Sequence, residues 1–397
     1  MKKYNKITPE GTKDFLFEEC CTRRSVSNKL AEVFTAHGYH EIVTPGLEFF
    51  DVFHFDSSAI GQELMYKMTD KRGRLVVMRP DSTVPIARVT ATRLQGLPKP
   101  IRLYYSQSIY CNTPGLDGKS DEIKQSGIEL LGAHGLRADL EVIVTAIEAL
   151  SKCVPDFRME LGHAGFFKAI AAELPVESEV IEDIRLSIEA KNYPLLDRIL
   201  DRLEPGVAVD AMRNLPRLFG GKEVFDEAEK YCLNKESAET LSYLKELFDD
   251  LSELNLGDKM MVDLGLVQRN DYYTDIVFSA YVENFGDAVL TGGRYDNLLA
   301  CFDAPMPAIG FAVNVDAMTQ VLHSQGRGPK APSVEILVHG DPGYELKALH
   351  HMSDMVAFGN GCENSVFETR EEALQYAKIK KIPRVDFVGD SVETVNL

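Results

Sequence analysis

Two hydrophobic periods run through this chain, and the places where one gives way to the other mark its elements. Val26, Leu30, Val33 and Phe34 recur at i, i+4, i+7 and i+8, a single stripe on a helical wheel. That spacing predicts a helix over residues 18–37, with Gly38 as its stop. Residues 41–50 read as extended, and Pro45, which has no N–H for a ladder, puts them at an edge or breaks the strand. Residues 75–78 and 102–110 read as strands and 136–153 as a second helix with an apolar face. From about 165 to 255 strand-like runs stop, and helical stretches follow at 178–189, 195–203 and 238–251. Strands resume at 260–266, 275–282 and 287–290.

Residues 323–333 hold two Gly, two Pro and two Ser in eleven positions, the make-up of a linker. Beyond it, strands at 334–338, 365–367 and 385–388 alternate with helices at 344–358 and 370–381. Strand–helix alternation of this kind implies a small α/β domain. The expected organisation is thus an α+β core in two parts, 1–164 and 256–322. A helical insertion at 165–255 separates them, and the linker leads to a last domain at 334–397.

Composition narrows the partners. At 397 residues the chain can bury the cores of two or three domains. Hydrophobic residues make up 45 % and charged residues 26 %, an ordinary globular balance. The net charge of −18 argues against a grip on nucleic acid, which needs a basic stripe to replace counterions. Seven cysteines form no Cys-x-x-Cys pair and one is left over, so they read as thiols in a reducing compartment. Nine histidines include no His-Glu-x-x-His arrangement, and no metal or cofactor site is expected. The start, Met1-Lys2-Lys3-Tyr4, lacks the apolar stretch of a signal peptide, and no run approaches the ~20 apolar residues of a membrane span. A cytoplasmic location is expected.

Four short stretches carry the candidate chemistry. Arg79-Pro80-Asp81-Ser82-Thr83 follows a strand and, taken alone, is a turn. Gln125 and Glu129 in Lys124-Gln125-Ser126-Gly127-Ile128-Glu129 are an even number apart, so a strand shows both on one face. A glutamate buried in such a strand is costly without a partner, although an ion pair or a solvated face would account for it. Asp271-Tyr272-Tyr273-Thr274 precedes a strand, and two adjacent tyrosines are more often packing than site. Gly292-Gly293-Arg294-Tyr295-Asp296 lacks the Gly-Lys-Ser/Thr ending of a phosphate loop; its glycines read as room for backbone to approach a ligand.

In this order the stretches resemble the motifs of histidyl-tRNA synthetases, from residue 8 to about residue 390. The opening Thr8-Pro9-Glu10-Gly11-Thr12 is similar to that family's start, and residues 32–50 to the first class II motif, which forms a homodimer interface. The resemblance implies a class II synthetase-like antiparallel sheet flanked by helices. It also implies a histidine pocket, with Asp81 and Thr83 on the α-ammonium and Glu129 on the imidazole. Gln125 would stand beside them and Tyr272 and Tyr273 would cover the ring.

The departures fall on arginines. Cys111, Gln268 and Ala317 stand where the family places arginines for ATP phosphates and the substrate carboxylate, and Arg269 would face the other side of its strand. A pocket kept without its phosphate clamps resembles the regulatory subunits of ATP phosphoribosyltransferase, catalytically inert relatives of the synthetase. That resemblance implies no catalytic residue. It implies a short catalytic subunit as partner in the first step of histidine biosynthesis, L-histidine as feedback effector, and self-association as a dimer. It also makes the last domain a shortened anticodon-binding-like domain that stops after Val388. The alternative is a divergent histidyl-tRNA synthetase.

Overall fold

The apolar stripe of the first helix sets the main packing. Helix α1 (Glu18–Ala36) buries Val26, Leu30, Val33 and Phe34, and Gly38 leaves it at a φ of +79°, a turn only glycine makes without strain. The computed structural model describes residues 4–55, 60–112, 120–266 and 273–397. The chain divides into one unit ending at Gly328 and a second beginning at Pro329.

In the first unit the early strands are β1 (His40–Glu41), β2 (Leu47–Phe49), β3 (Lys67–Thr69) and β4 (Leu75–Met78). Pro45 lies in the break between β1 and β2. Helix α2 (Thr83–Arg93) follows, then the long strands β5 (Ile101–Tyr110) and β6 (Glu122–Leu131) and helix α3 (Leu136–Cys153). Strand β7 (Arg158–His163) leads into a helical stretch: α4 (Ala164–Ala171), α5 (Ser178–Glu189), α6 (Tyr193–Leu200), α7 (Val207–Asn214), α8 (Glu223–Ala228) and α9 (Lys235–Glu253). Asn234 and Ser237 form a capping box that fixes where α9 begins. A two-residue strand, β8 (Phe219–Gly220), interrupts these helices and pairs with β9 (Met260–Asp263). The helical stretch therefore adds an edge to the sheet, which a reading from apolar periodicity does not show.

Strands β10 (Ile276–Tyr281), β11 (Leu290–Arg294) and β12 (Ala308–Asn314), with helix α10 (Val315–Ser324), complete the unit. Among the described residues nine strands form one sheet in the order β1-β5-β6-β12-β11-β10-β7-β9-β8. All pairs are antiparallel except β1 with β5 and β7 with β9. Strands β2, β4 and β3 make a separate small sheet.

The expected strand at 287–290 is displaced. It starts at Leu290 and runs through Gly292 and Gly293 to Arg294. Each of these glycines makes room for an aromatic ring. A Cβ on Gly292 would strike the rings of Phe278 and Phe311, and one on Gly293 would meet the ring of Tyr273. They admit side chains of the protein, where the sequence suggested room for a ligand.

Neighbours along a strand fall into different cores. Tyr104 and Leu130 join a large cluster with α1, α3 and α10, whereas Tyr105 and Leu131 join a second one with Val77, Ile86, Tyr273 and Tyr295. The sheet is thus buried on both faces, and the helical stretch shares the first core. No helix among the described residues is long and apolar enough to cross a membrane.

The second unit has strands β13 (Ile336–Gly340), β14 (Cys362–Asn364), β15 (Arg384–Val388) and β16 (Val392–Asn396), with helices α11 (Glu345–Ala357) and α12 (Arg370–Lys380). Its sheet runs β14-β13-β15-β16. The strand expected at 365–367 ends before it: Ser365 N–H closes the pairing on the Val338 carbonyl. After Val388 a further strand, β16, pairs antiparallel with β15.

Candidate functional site

The second core encloses a polar cavity, and Glu129 stands in it. Strand β6 holds Glu129 opposite Gly310 of β12, and its side chain is 1 % exposed. A Cβ on Gly310 would overlap Glu129 Oε2 and the Ile128 carbonyl, so only glycine fits there. Gly310→Ala should therefore destabilise the protein by roughly 1–3 kcal/mol, the cost of overpacking. Urea denaturation measures it, and a variant of unchanged midpoint would contradict the geometry.

Hydroxyls partner the glutamate. Thr83 Oγ1 donates to Glu129 Oε1 at 2.7 Å, and the Tyr295 hydroxyl donates to Oε2. Burial, with a smaller push from nearby Asp81, outweighs the two hydroxyl bonds that pull the other way and leaves the carboxyl raised to about 8. Asp81 Oδ1 accepts from Val84 N–H at 2.7 Å, which fastens the acid to the first turn of α2. Arg79 anchors the same turn. It donates to the Ser108 carbonyl at 2.6 Å, the Thr44 carbonyl at 2.7 Å and Gln107 Oε1 at 2.9 Å.

Asp81, Thr83, Gln125, Glu129 and Tyr273 all line this one cavity. Tyr272 lies outside the described residues, as do Gln268, Arg269 and Asp271. The structure adds Tyr105, Thr291, Tyr295 and Phe311 to the lining, none of which the motifs singled out. Tyr105 could have been found from strand register, because it pairs opposite Gly127, midway between Gln125 and Glu129 on the same face. Tyr295 sits inside a motif whose glycines drew attention instead. Two carboxylates and no lysine or arginine appear among the described lining residues.

The positions aligned with phosphate-binding arginines are occupied by the chain's own contacts. Cys111 follows β5, and its thiol donates to the Pro80 carbonyl at 3.3 Å. Ala317 lies in the first turn of α10, is 6 % exposed, and donates its N–H to Asn314 Oδ1 at 2.9 Å. Beside it Asp316 pairs with Arg23 at 2.5 Å and accepts Lys124 N–H at 2.8 Å. The positive end of α10 is thus satisfied by Asn314 and Asp316. Among the described residues no group of three or more His, Cys, Asp or Glu could hold a metal.

A large antiparallel sheet, helices on one face and the polar cavity on the other are the class II synthetase arrangement, and the family model for histidyl-tRNA synthetase matches residues 11–318. The structure superposes on a histidyl-tRNA synthetase from Nostoc with a TM-score of 0.77, at 19 % identity, over 100 % of this chain and 97 % of the other. It superposes with a TM-score of 0.83, at 27 % identity, on a Bacillus halodurans protein described as an ATP phosphoribosyltransferase regulatory subunit/histidyl-tRNA synthetase, covering 94 % of this chain and 97 % of that one. In sequence it is 38 % identical over 399 residues to the ATP phosphoribosyltransferase regulatory subunit of Clostridium acetobutylicum, across 100 % of this chain and 97 % of that protein. The chain belongs to the family of ATP phosphoribosyltransferase regulatory subunits, within the histidyl-tRNA synthetase fold.

Proposed function

We propose that this chain is a non-catalytic regulatory subunit that joins a short ATP phosphoribosyltransferase catalytic subunit in the cytoplasm and conveys feedback inhibition by L-histidine. One observation carries the reading. A carboxylate pair, Glu129 and Asp81, shares an aromatic-walled cavity, while the positions of the phosphate clamps hold Cys111 and Ala317. In the filled pocket the imidazole N–H donates to Glu129 and the α-ammonium meets Asp81 and Thr83. Gln125 lies alongside, and Tyr272 and Tyr273 cover the ring. The full-length relatives named as regulatory subunits support the partner, and the likeness of residues 32–50 to the first class II motif supports a dimer. Aminoacylation is absent from this function.

Calorimetry of L-histidine against the full chain tests the pocket. Saturable binding at one site per chain is expected; no heat at millimolar histidine would remove the effector from the account.

A further inference from the structure

Asp81, Glu129, Tyr273 and Tyr295 line one polar cavity, so a ligand held there touches all four. What the ligand touches depends on how those walls are held. Two of those walls are fastened to the helices that lie between β7 and β9.

Tyr295 touches Glu129, while its neighbour on β11, Arg294, points to the opposite face and is 1 % exposed. Arg294 Nε donates to Asp139 Oδ1 at 3.0 Å and Nη2 donates to the same oxygen. Nη1 donates to Asp296 Oδ1 at 3.0 Å and to the Ala133 carbonyl at 3.1 Å. Asp139, on α3 and also 1 % exposed, gives its other oxygen to the hydroxyl of Tyr243 on α9. The second wall, Tyr273, accepts Lys168 Nζ of α4 on its carbonyl at 3.0 Å. The two helices share a further anchor. The His163 ring packs edge-on against Tyr243 with centroids 6.2 Å apart, and its Nδ1 accepts Gly165 N–H at the start of α4.

Arg294, Asp139, Asp296 and the Tyr243 hydroxyl form one hydrogen-bonded network, and separating its buried members leaves polar groups unpaired, which couples their movements. We infer that Tyr243 and Lys168 are positioning residues for the pocket, acting through Asp139–Arg294–Tyr295 and through the Tyr273 carbonyl, so that filling the pocket shifts α4 and α9. The inference rests on the reading of the cavity as a histidine pocket. It names the inserted helices as the element that registers occupancy.

Hydrogen exchange of the full chain, with and without saturating L-histidine, tests it. Wild type should change its exchange rates in residues 164–171 and 235–253 by roughly three- to thirtyfold. Tyr243→Phe, which removes one hydroxyl, should still saturate with histidine but lose the change in 235–253. Lys168→Met should lose the change in 164–171 instead. A purely structural tyrosine would lower stability equally with and without histidine and leave the ligand-induced change intact; that result overturns the inference. So does a wild-type response confined to β5, β6 and β11. Absence of histidine binding in calorimetry overturns the pocket reading itself, and the inference falls with it.

Discussion

Glu129→Gln should weaken L-histidine binding at least about a hundredfold and yet make the ligand-free protein more stable at neutral pH. Both effects come from one buried carboxyl. Its folded pKa is about 8, against an ordinary 4.5. Between those values the unfolded chain has released the proton while the folded one still holds it, so stability falls as pH rises through the window. The loss begins near pH 4.5, is complete near pH 8, and reaches roughly 3 kcal/mol by pH 7. Glutamine keeps an acceptor oxygen for one of the two hydroxyls, offers its NH2 to the oxygen of the other, and removes the titration. Urea unfolding from pH 5 to 8 should show the variant gaining on wild type throughout; parallel curves would show that Glu129 ionises freely. The binding loss has a separate cause: the Glu129 carboxyl can give its proton to an entering imidazole and remain as the paired carboxylate, whereas a glutamine amide has no proton to give and no charge to offer. Wild-type affinity in Glu129→Gln would contradict the role given to this residue.

The second large effect is a missing reaction. Histidine-dependent exchange of pyrophosphate into ATP should stay at background. Each arginine–phosphate contact contributes roughly 1.5–3 kcal/mol, so losing those aligned with Cys111 and Ala317 costs about 10²–10⁴ in ATP affinity. By the same resemblance Gln268 stands in place of a third arginine, and loss of a donor that stabilises transition-state charge costs about 10²–10³ in rate. Nor is there a vacant place for new charge at α10: Ala317 is buried, and Asp316 is committed to Arg23. Exchange near that of an active histidyl-tRNA synthetase would favour the divergent synthetase.

The class II fold was legible through its resemblance to the synthetase motifs in their order, while strong, unbroken periods placed the main helices. Residues 136–153 and 178–189 match α3 and α5 at both ends. Legibility failed where local chemistry and tertiary packing disagree. Gly292 and Gly293 read as room for a ligand and lie beyond the expected strand at 287–290, yet they belong to β11, where the rings of Phe278, Phe311 and Tyr273 take the space. Strand β16 has mostly exposed side chains, so its pattern carries no face, and only its ladder to β15 defines it. At the cavity, acids stood out through their motifs, whereas Tyr105 and Tyr295 did not. A tyrosine in a strand looks like packing until the facing strand brings a carboxylate to its hydroxyl.

The account turns on regulation of a partner. Its most direct test is phosphoribosyl-ATP formation by a short catalytic subunit, with and without this chain, across a titration of L-histidine. Activity that appears only in the mixture and falls as histidine rises is the predicted result. A catalytic subunit whose rate is the same with or without this chain, at every histidine concentration, would contradict it.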